Sequence, residues 1–353
     1  MKRNKRCSPN ICPASAQSST SIDEIAFDTR PFTCTRDDVK KTCSFFQIGK
    51  LQTFEIEKDV AISHTNFFVF VKTSQGAWGF KFYPRPMAKS IGLEYALNHF
   101  LVAHHFPTPL MRRGMNKHPF IATNNMLATC FAYIKGQQVW QKINQKTVIT
   151  QINSNLVTFK KHLSSLPQTI PLRKAPLLTN TIHSLIKTAH NIKSFSQQKF
   201  IMSLLRKKLK QYQEHKPLYI RRYLHNNASL TNFLVDKTEV YTLDLSHVCE
   251  DYHLADLASL VISCLFFNVP QKIITTIEQD YFIQNKLKGQ YACVLNTLVT
   301  IGLIQEYLKN SRREISPAPA NCPKDVHRHY LKHLTERQKI IFSALKNPSS
   351  LEF

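Results

Sequence analysis

The sequence predicts an α+β chain in two lobes, an antiparallel sheet with one helix followed by a larger, mainly helical lobe. Three observations carry this expectation. Short β-rich runs crowd the first third of the chain, at residues 49–56, 66–73 and 77–83. After Lys135-Gly136, glycine becomes rare and apolar residues recur at helical spacing. The 353 residues, 43% of them hydrophobic, supply enough apolar material for one large or two modest cores.

Residues 1–45 mix Ser, Thr, Pro, Lys and Arg without sustained periodicity and read as a flexible basic tail. The runs Gly49 to Ile56, Asn66 to Thr73 and Ala77 to Tyr83, the last two joined by Ser74-Gln75-Gly76, read as an antiparallel meander. A helix follows, with Ile91, Tyr95, Leu97, His99, Leu101 and Val102 grouped around Glu94; Pro107 and Pro109 stop it, and His104-His105 suits its cap. Two more strands, Pro119 to Thr123 and Met126 to Ile134, complete a first lobe at residues 46–136. Residues 137–353 form the second. Several helices are expected over 141–215, one with Phe200, Ile201, Leu204, Leu205 and Leu209 on one side and Arg206-Lys207-Lys208-Lys210 largely on the other. A short β-rich island, Phe233 to Val235 and Val240 to Leu245, precedes helices that run to the end.

Composition excludes several classes. Eight glycines and 17 prolines argue against collagen-like or low-complexity architecture. Nine scattered cysteines, never paired as Cys-x-x-Cys, indicate neither a disulfide scaffold nor a zinc ribbon and suit a reducing, cytoplasmic setting. Cys322, His327, His329 and His333 lack paired spacing and read as a surface helix. The basic start, Met-Lys-Arg-Asn-Lys-Arg, has no apolar stretch behind it, so no cleavable signal is indicated. The apolar run 257–269 falls short of the roughly 20 residues a membrane span needs and reads as a core helix, so no transmembrane segment is expected. The net charge of +24 is concentrated: residues 141–222 hold 16 Lys or Arg against one acid, Glu214. That block attracts anions, whether phosphate, nucleic acid, an acidic membrane surface or an acidic protein.

The chemistry gathers in one stretch. It reads His225-Asn226-Asn227-Ala228-Ser229-Leu230-Thr231-Asn232, then a hydrophobic strand pair ending in Asp244, then Asp251 and Ala255-Asp256-Leu257-Ala258. This stretch resembles the catalytic and metal-binding segment of the aminoglycoside phosphotransferase and choline kinase superfamily, nearest to its spore-coat kinase-like and homoserine-kinase-like branches. In that family a His-Gly-Asp triplet is followed, five residues after its Asp, by an Asn, then by a metal-binding Asp and an Asp-Leu-Ala helix start.

The resemblance implies a two-lobed protein-kinase-like fold over about residues 46–275 that uses ATP and Mg²⁺. His225 falls on the family's His, Asn232 and Asp244 on its metal ligands, and Asp256 on the Asp that braces the loop. Asn227 falls on the catalytic Asp. In the first lobe, Lys81 resembles the phosphate-gripping Lys and Glu94 its ion-pair partner; Asn66 sits in the turn that covers the nucleotide. Backbone near Ala132, Tyr133 and Ile134 would meet adenine at a hinge ending near Gly136.

Phosphoryl transfer needs positioning and charge stabilisation more than covalent help, and oxygen ligands suit a hard cation. A carboxamide at 227 orients a hydroxyl but scarcely accepts its proton, which slows turnover by roughly 10²- to 10⁴-fold without abolishing it. A displaced frame would leave Asp236 or Asp251 to serve instead. The resemblance, taken with the basic block, implies one of two functions: ATP-dependent phosphotransfer to a small-molecule hydroxyl, or a catalytically impaired kinase-like protein that binds nucleic acid, acidic lipid or a partner through its basic helices. The basic block favours an anionic acceptor over a cationic one.

Overall fold

The computed structural model describes residues 34–56, 67–123, 126–237, 239–315 and 324–346. Strands β1 (Leu51–Ile56), β2 (Phe67–Thr73), β3 (Gly76–Pro84), β4 (Ile121–Ala122) and β5 (Met126–Ala132) form one sheet in the order β1-β2-β3-β5-β4. Every pairing is antiparallel. The β2–β3 hairpin closes on Thr73 opposite Gly76, whose φ of 126° is open to glycine and strained for other residues. Successive side chains on β3 point to opposite faces. Phe80 and Phe82 therefore join Val69, Val71, Ala128 and Cys130 on one side, while Lys81 and Tyr83 face the other.

The tail expected over 1–45 is too long at its C-terminal end. Residues Arg36–Phe46 form helix α1, whose Val39, Cys43 and Phe46 cover the Phe80 face of the sheet. Thr35 and Asp38 make a reciprocal capping box at its start: the Asp38 amide donates to Thr35 Oγ1 at 3.1 Å and the Thr35 amide to Asp38 Oδ2 at 3.0 Å. Four apolar residues in three turns, two of them adjacent, made a weak periodic signal; the sheet supplies the partner that makes them a core.

Helix α2 (Ala88–Ala103) joins the lobes. Its Ile91 packs with Tyr83, Met111 and Leu127 beneath the sheet. One turn and a half later, Leu97 and Leu101 pack with Phe106, Phe159, Leu163, Leu245 and Val248 of the second lobe. At its C-terminus, His104 Nδ1 lies 2.8 Å from the Phe100 carbonyl.

The second lobe packs helices α3 (Lys146–Ser164), α4 (Leu178–Ala189), α5 (Phe195–Glu214), α6 (Ala255–Phe266), α7 (Gln271–Gln284), α8 (Ala292–Ile315) and α9 (Lys324–Lys346). Two small sheets sit where it meets the first lobe: β6 (Gln137–Gln138) with β9 (Phe233–Asp236) and β10 (Glu239–Thr242), and β7 (Arg173–Lys174) with β11 (Cys249–Tyr252) and β8 (Arg221–Leu224). Among the described residues one helix, Gly289–Ser311, is long and apolar enough to cross a membrane, with mean hydropathy 1.2. Its Val294, Leu295, Val299, Leu303 and Ile304 are instead fully buried in the core shared with α6.

The expected division of α5 needs one correction. Arg206, Lys207 and Lys210 are exposed, but Lys208 is buried on the core side and bonded to Asn296 Oδ1. Burial, reinforced by Lys207, lowers its pKa to about 8. Cys322 lies outside the described residues, as do the side chains of His327, His329 and His333.

Candidate active site

A charged cluster forms where α2, β3 and the end of β10 meet. Lys81 crosses the cleft to place Nζ 2.6 Å from Asp244 Oδ1 and 3.8 Å from Glu94 Oε1. The Tyr83 hydroxyl donates to Glu94 Oε2 at 2.7 Å, which holds the carboxylate beneath the lysine. Lys81 and Glu94 are only 1% and 2% exposed, so each charge depends on the others for stabilisation. Burial alone would depress the Lys81 pKa; Asp244 and Glu94 overcome it and the net shift is upward. Burial opposes ionisation of Asp244 too, yet Lys81 and the Ser246 hydroxyl hold its carboxyl far below the ordinary range. Glu94 goes the other way, lifted by burial against the pull of Lys81.

The backbone around Asp244 is set by local chemistry. Asp244 takes φ 54° and caps a short turn at Leu245–His247, its Oδ1 accepting the Ser246 hydroxyl at 2.6 Å. That leaves Oδ2 without a hydrogen bond among the described residues. The preceding residue, Leu243, is pinned at both ends: its amide donates to the Asn232 carbonyl at 2.8 Å, and its carbonyl lies 2.8 Å from His225 Nε2.

The loop 225–232 is anchored from beneath. Asp256, fully buried on α6, accepts the His225 amide at 3.1 Å and the Asn226 amide at 2.7 Å. Asn226 has φ 59°, a left-handed conformation that Asn tolerates better than most residues. The Asn232 side chain donates through Nδ2 to the Asn227 carbonyl at 2.8 Å, leaving its Oδ1 free among the described residues. Asn232 Oδ1 and Asp244 Oδ2 are hard oxygen donors, chemically suited to Mg²⁺.

Beside this loop opens a cavity of about 670 Å³ lined by Asn226, Asn227, Asn232, Asp251, Ser259 and Glu306 among others. Its walls come from the loop, β11, α6, α8, the start of α4 and Arg337 of α9. Burial lifts the Asp251 carboxyl to about 6.

No protein-family model and no curated protein matches the sequence. Solved structures do match its fold. An amicoumacin kinase in complex with AMP-PNP and Ca²⁺ aligns with TM-score 0.61 at 11% identity, over 86% of this chain and 93% of its own. An aminoglycoside phosphotransferase from Alicyclobacillus acidocaldarius gives TM-score 0.59 at 11% identity, over 88% and 96%. Choline kinase from Cryptosporidium parvum gives 0.53 at 12%, over 85% and 92%. This chain has the aminoglycoside phosphotransferase and choline kinase fold.

Within that phosphotransferase fold, Lys81, Glu94 and Asp244 converge in one cluster, and Asn227 and Asn232 share the adjoining cavity. His225, expected as a catalytic residue, does not line the cavity. It is fully buried against Phe159 and Phe233 and positions the Leu243–Asp244 peptide. Asn66 lies outside the described residues. At the hinge, the Ala132 amide is committed to the Leu110 carbonyl and the Ile134 carbonyl to the Gly136 amide. Tyr133 is exposed, and the Ile134 amide makes no hydrogen bond among the described residues.

Asp236 ends β9 at the hairpin and is not part of the cavity, whereas Asp251 is. Two residues of the charged cluster escaped the sequence reading. Tyr83 was legible by strand alternation from Lys81, and Ser246 by the Asp-x-Ser cap spacing from Asp244.

Proposed function

We propose that this protein binds a nucleoside triphosphate with magnesium between its lobes and transfers the terminal phosphoryl group to a hydroxyl of a small molecule held in the adjoining cavity. The observation that carries the reading is the contact of Lys81 with Asp244 at 2.6 Å, which unites a cation from the sheet with an acid from the second lobe. Lys81 grips phosphate with Glu94 behind it, Asp244 and Asn232 hold the metal through their free oxygens, and the hinge near Ile134 offers its amide to the base. When bound, the metal supplies charge neutralisation at the phosphates. Asn227, with a side chain free of internal hydrogen bonds among the described residues, orients the acceptor.

The anionic acceptor expected from net charge loses its support at the cavity. Its charged lining is Asp251, Glu306 and Arg337, and the basic block 141–222 contributes only Ala175, Pro176, Leu178 and Thr181. A neutral polyhydroxylated or weakly cationic acceptor fits those walls better. A thermal-shift titration tests nucleotide binding. ATP with Mg²⁺ raises the melting temperature of the wild type, by about 2.7 kcal/mol of added stability at a hundredfold excess over Kd, and leaves Lys81→Met unmoved. A flat wild-type titration refutes the reading.

The exposed row Lys199, Arg206, Lys207 and Lys210 on α5 supports a second reading, electrostatic binding of a polyanion. Titration with duplex DNA across salt checks it: affinity falls steeply between 50 and 200 mM salt, on the order of tenfold or more, if these side chains make the contact.

A further inference from the structure

We propose that Asp251 accepts the proton of the attacking hydroxyl, in place of the carboxylate that residue 227 lacks; the proposal rests on the phosphotransfer reading above. The cavity offers two acids to its contents, Asp251 and Glu306. Glu306 is engaged with Lys309 of its own helix at 3.5 Å. Asp251 uses Oδ1 on the neighbouring Tyr252 amide at 2.7 Å, and its Oδ2 has no hydrogen bond among the described residues. The remaining charged group in the lining, Arg337, lies over the Phe266 ring at 5.1 Å. The other titratable lining residue, Tyr252, has its hydroxyl oxygen occupied by the Leu178 amide at 2.9 Å.

Strand β11, which carries Asp251, pairs with the strand that leads into the loop 225–232. On β11, Asp251 stands opposite Arg222 and Cys249 opposite Leu224 of β8, and β8 runs straight into His225-Asn226-Asn227. Residues 227 and 251 line one cavity, the first from the loop after β8 and the second from β11. The groups that bear on Asp251 are Arg221 from β8, Asp256 from α6 and Cys249 on its own strand. Burial raises its pKa first, the Tyr252 amide and Arg221 pull it back, Asp256 pushes it up again, and it settles at about 6. Such a carboxylate is mostly ionised at neutral pH and more basic than an exposed one, which suits a general base. Asn227 orients and Asp251 deprotonates, so two side chains divide what one Asp does elsewhere.

The step balances. The acceptor oxygen forms a bond to the terminal phosphorus as the bond from that phosphorus to the bridging oxygen breaks. The electron pair leaves with the nucleoside diphosphate, and the hydroxyl proton passes to Asp251 and then to water.

The test uses the full chain with ATP and Mg²⁺, water serving as the acceptor, and follows phosphate release from pH 5 to 8.5. Wild-type hydrolysis rises with pH through a midpoint near 6. Asp251→Asn lowers it on the order of 10²-fold and removes the midpoint, with an unchanged ATP thermal shift; Asp251→Glu keeps part of the rate and displaces the midpoint. Three results overturn the assignment while sparing nucleotide binding: an undiminished rate in Asp251→Asn, a wild-type rate flat between pH 5 and 7, or a wild type that binds ATP and releases no phosphate. Should Asp251→Asn not fold, the wild-type profile and Asp251→Glu decide alone. A wild type without an ATP thermal shift overturns the phosphotransfer reading and this assignment together.

Discussion

The cleft and the cavity sit side by side yet are built on opposite electrostatic plans. The cleft holds one cation within 4 Å of each of two acids, Lys81 and Glu94 almost completely buried and Asp244 a little more open, and each pKa is shifted by burial and by its neighbours. The cavity is lined by amides and hydroxyls together with apolar side chains such as Leu178, Ile262, Phe266 and Leu298, and of its two acids Asp251 makes no ion pair among the described residues. Fixed charges are most effective where phosphate and metal charge must be neutralised, because low dielectric strengthens them there. An acceptor hydroxyl requires orientation and one proton acceptor, and neutral hydrogen-bonding groups supply the first without a large desolvation cost.

The sharpest way to break this contrast is to remove the cation. Lys81→Met leaves Glu94 buried beside Asp244 without its partner and costs about 3–5 kcal/mol, read as a fall in urea midpoint, together with loss of the ATP-induced thermal shift. A variant as stable as wild type would show that the triad carries no stabilising charge balance. Next in size is the support under the cavity. Asp256→Ala frees two buried amides of the 225–226 turn and costs about 2–3 kcal/mol, measured by chemical unfolding with the denaturant slope unchanged.

Glu278 on α7 extends the contrast to an acid with no hydrogen-bond or ion-pair partner among the described residues. It is buried, its Oε1 lacks a hydrogen bond, and burial lifts its pKa to about 8. The unfolded chain gives up that proton near pH 4.5 while the folded chain retains it to about 8, so stability drains away as pH rises through that window and is lost in full above it. Glu278→Gln flattens the slope and gains about 1–2 kcal/mol at pH 8, visible in melting curves across pH. Smallest is the effect of a second carboxylate in the cavity. Asn227→Asp changes phosphate release by less than about tenfold and moves the midpoint of Asp251 upward, since like charges disfavour joint ionisation. A gain of 10²-fold or more would show instead that the site had no base.

Much of the fold was readable because β-strands and buried helices write their periods into the chain. The alternation Phe80-Lys81-Phe82-Tyr83 announced a strand with two different faces, and the 257–269 run announced a core helix. Helix α1 was not announced by periodicity, since Val39, Cys43 and Phe46 are too sparse to be recognised before the sheet they cover is known; its Thr35–Asp38 capping box was the signal present. At the site, the spacing from His225 to Asp256 pointed to the loops that border the cavity, and the resemblance counted His225 among the catalytic residues without saying whether it is buried. Its burial follows from Phe159 and Phe233, which lie far from it in sequence or point inward only once β9 is paired.

What the chain determined by itself is local: strand faces, caps, left-handed positions such as Asn226, and the absence of a carboxylate at 227. Each depends on side chains within a few residues, where steric and hydrogen-bonding preferences act directly. Which charges meet, which acid faces the cavity and which lysines reach the surface were decided only by tertiary packing. Coulomb energies and desolvation depend on distance and burial in space, and a net charge of +24 spread along 353 residues says nothing about what lines a particular cavity.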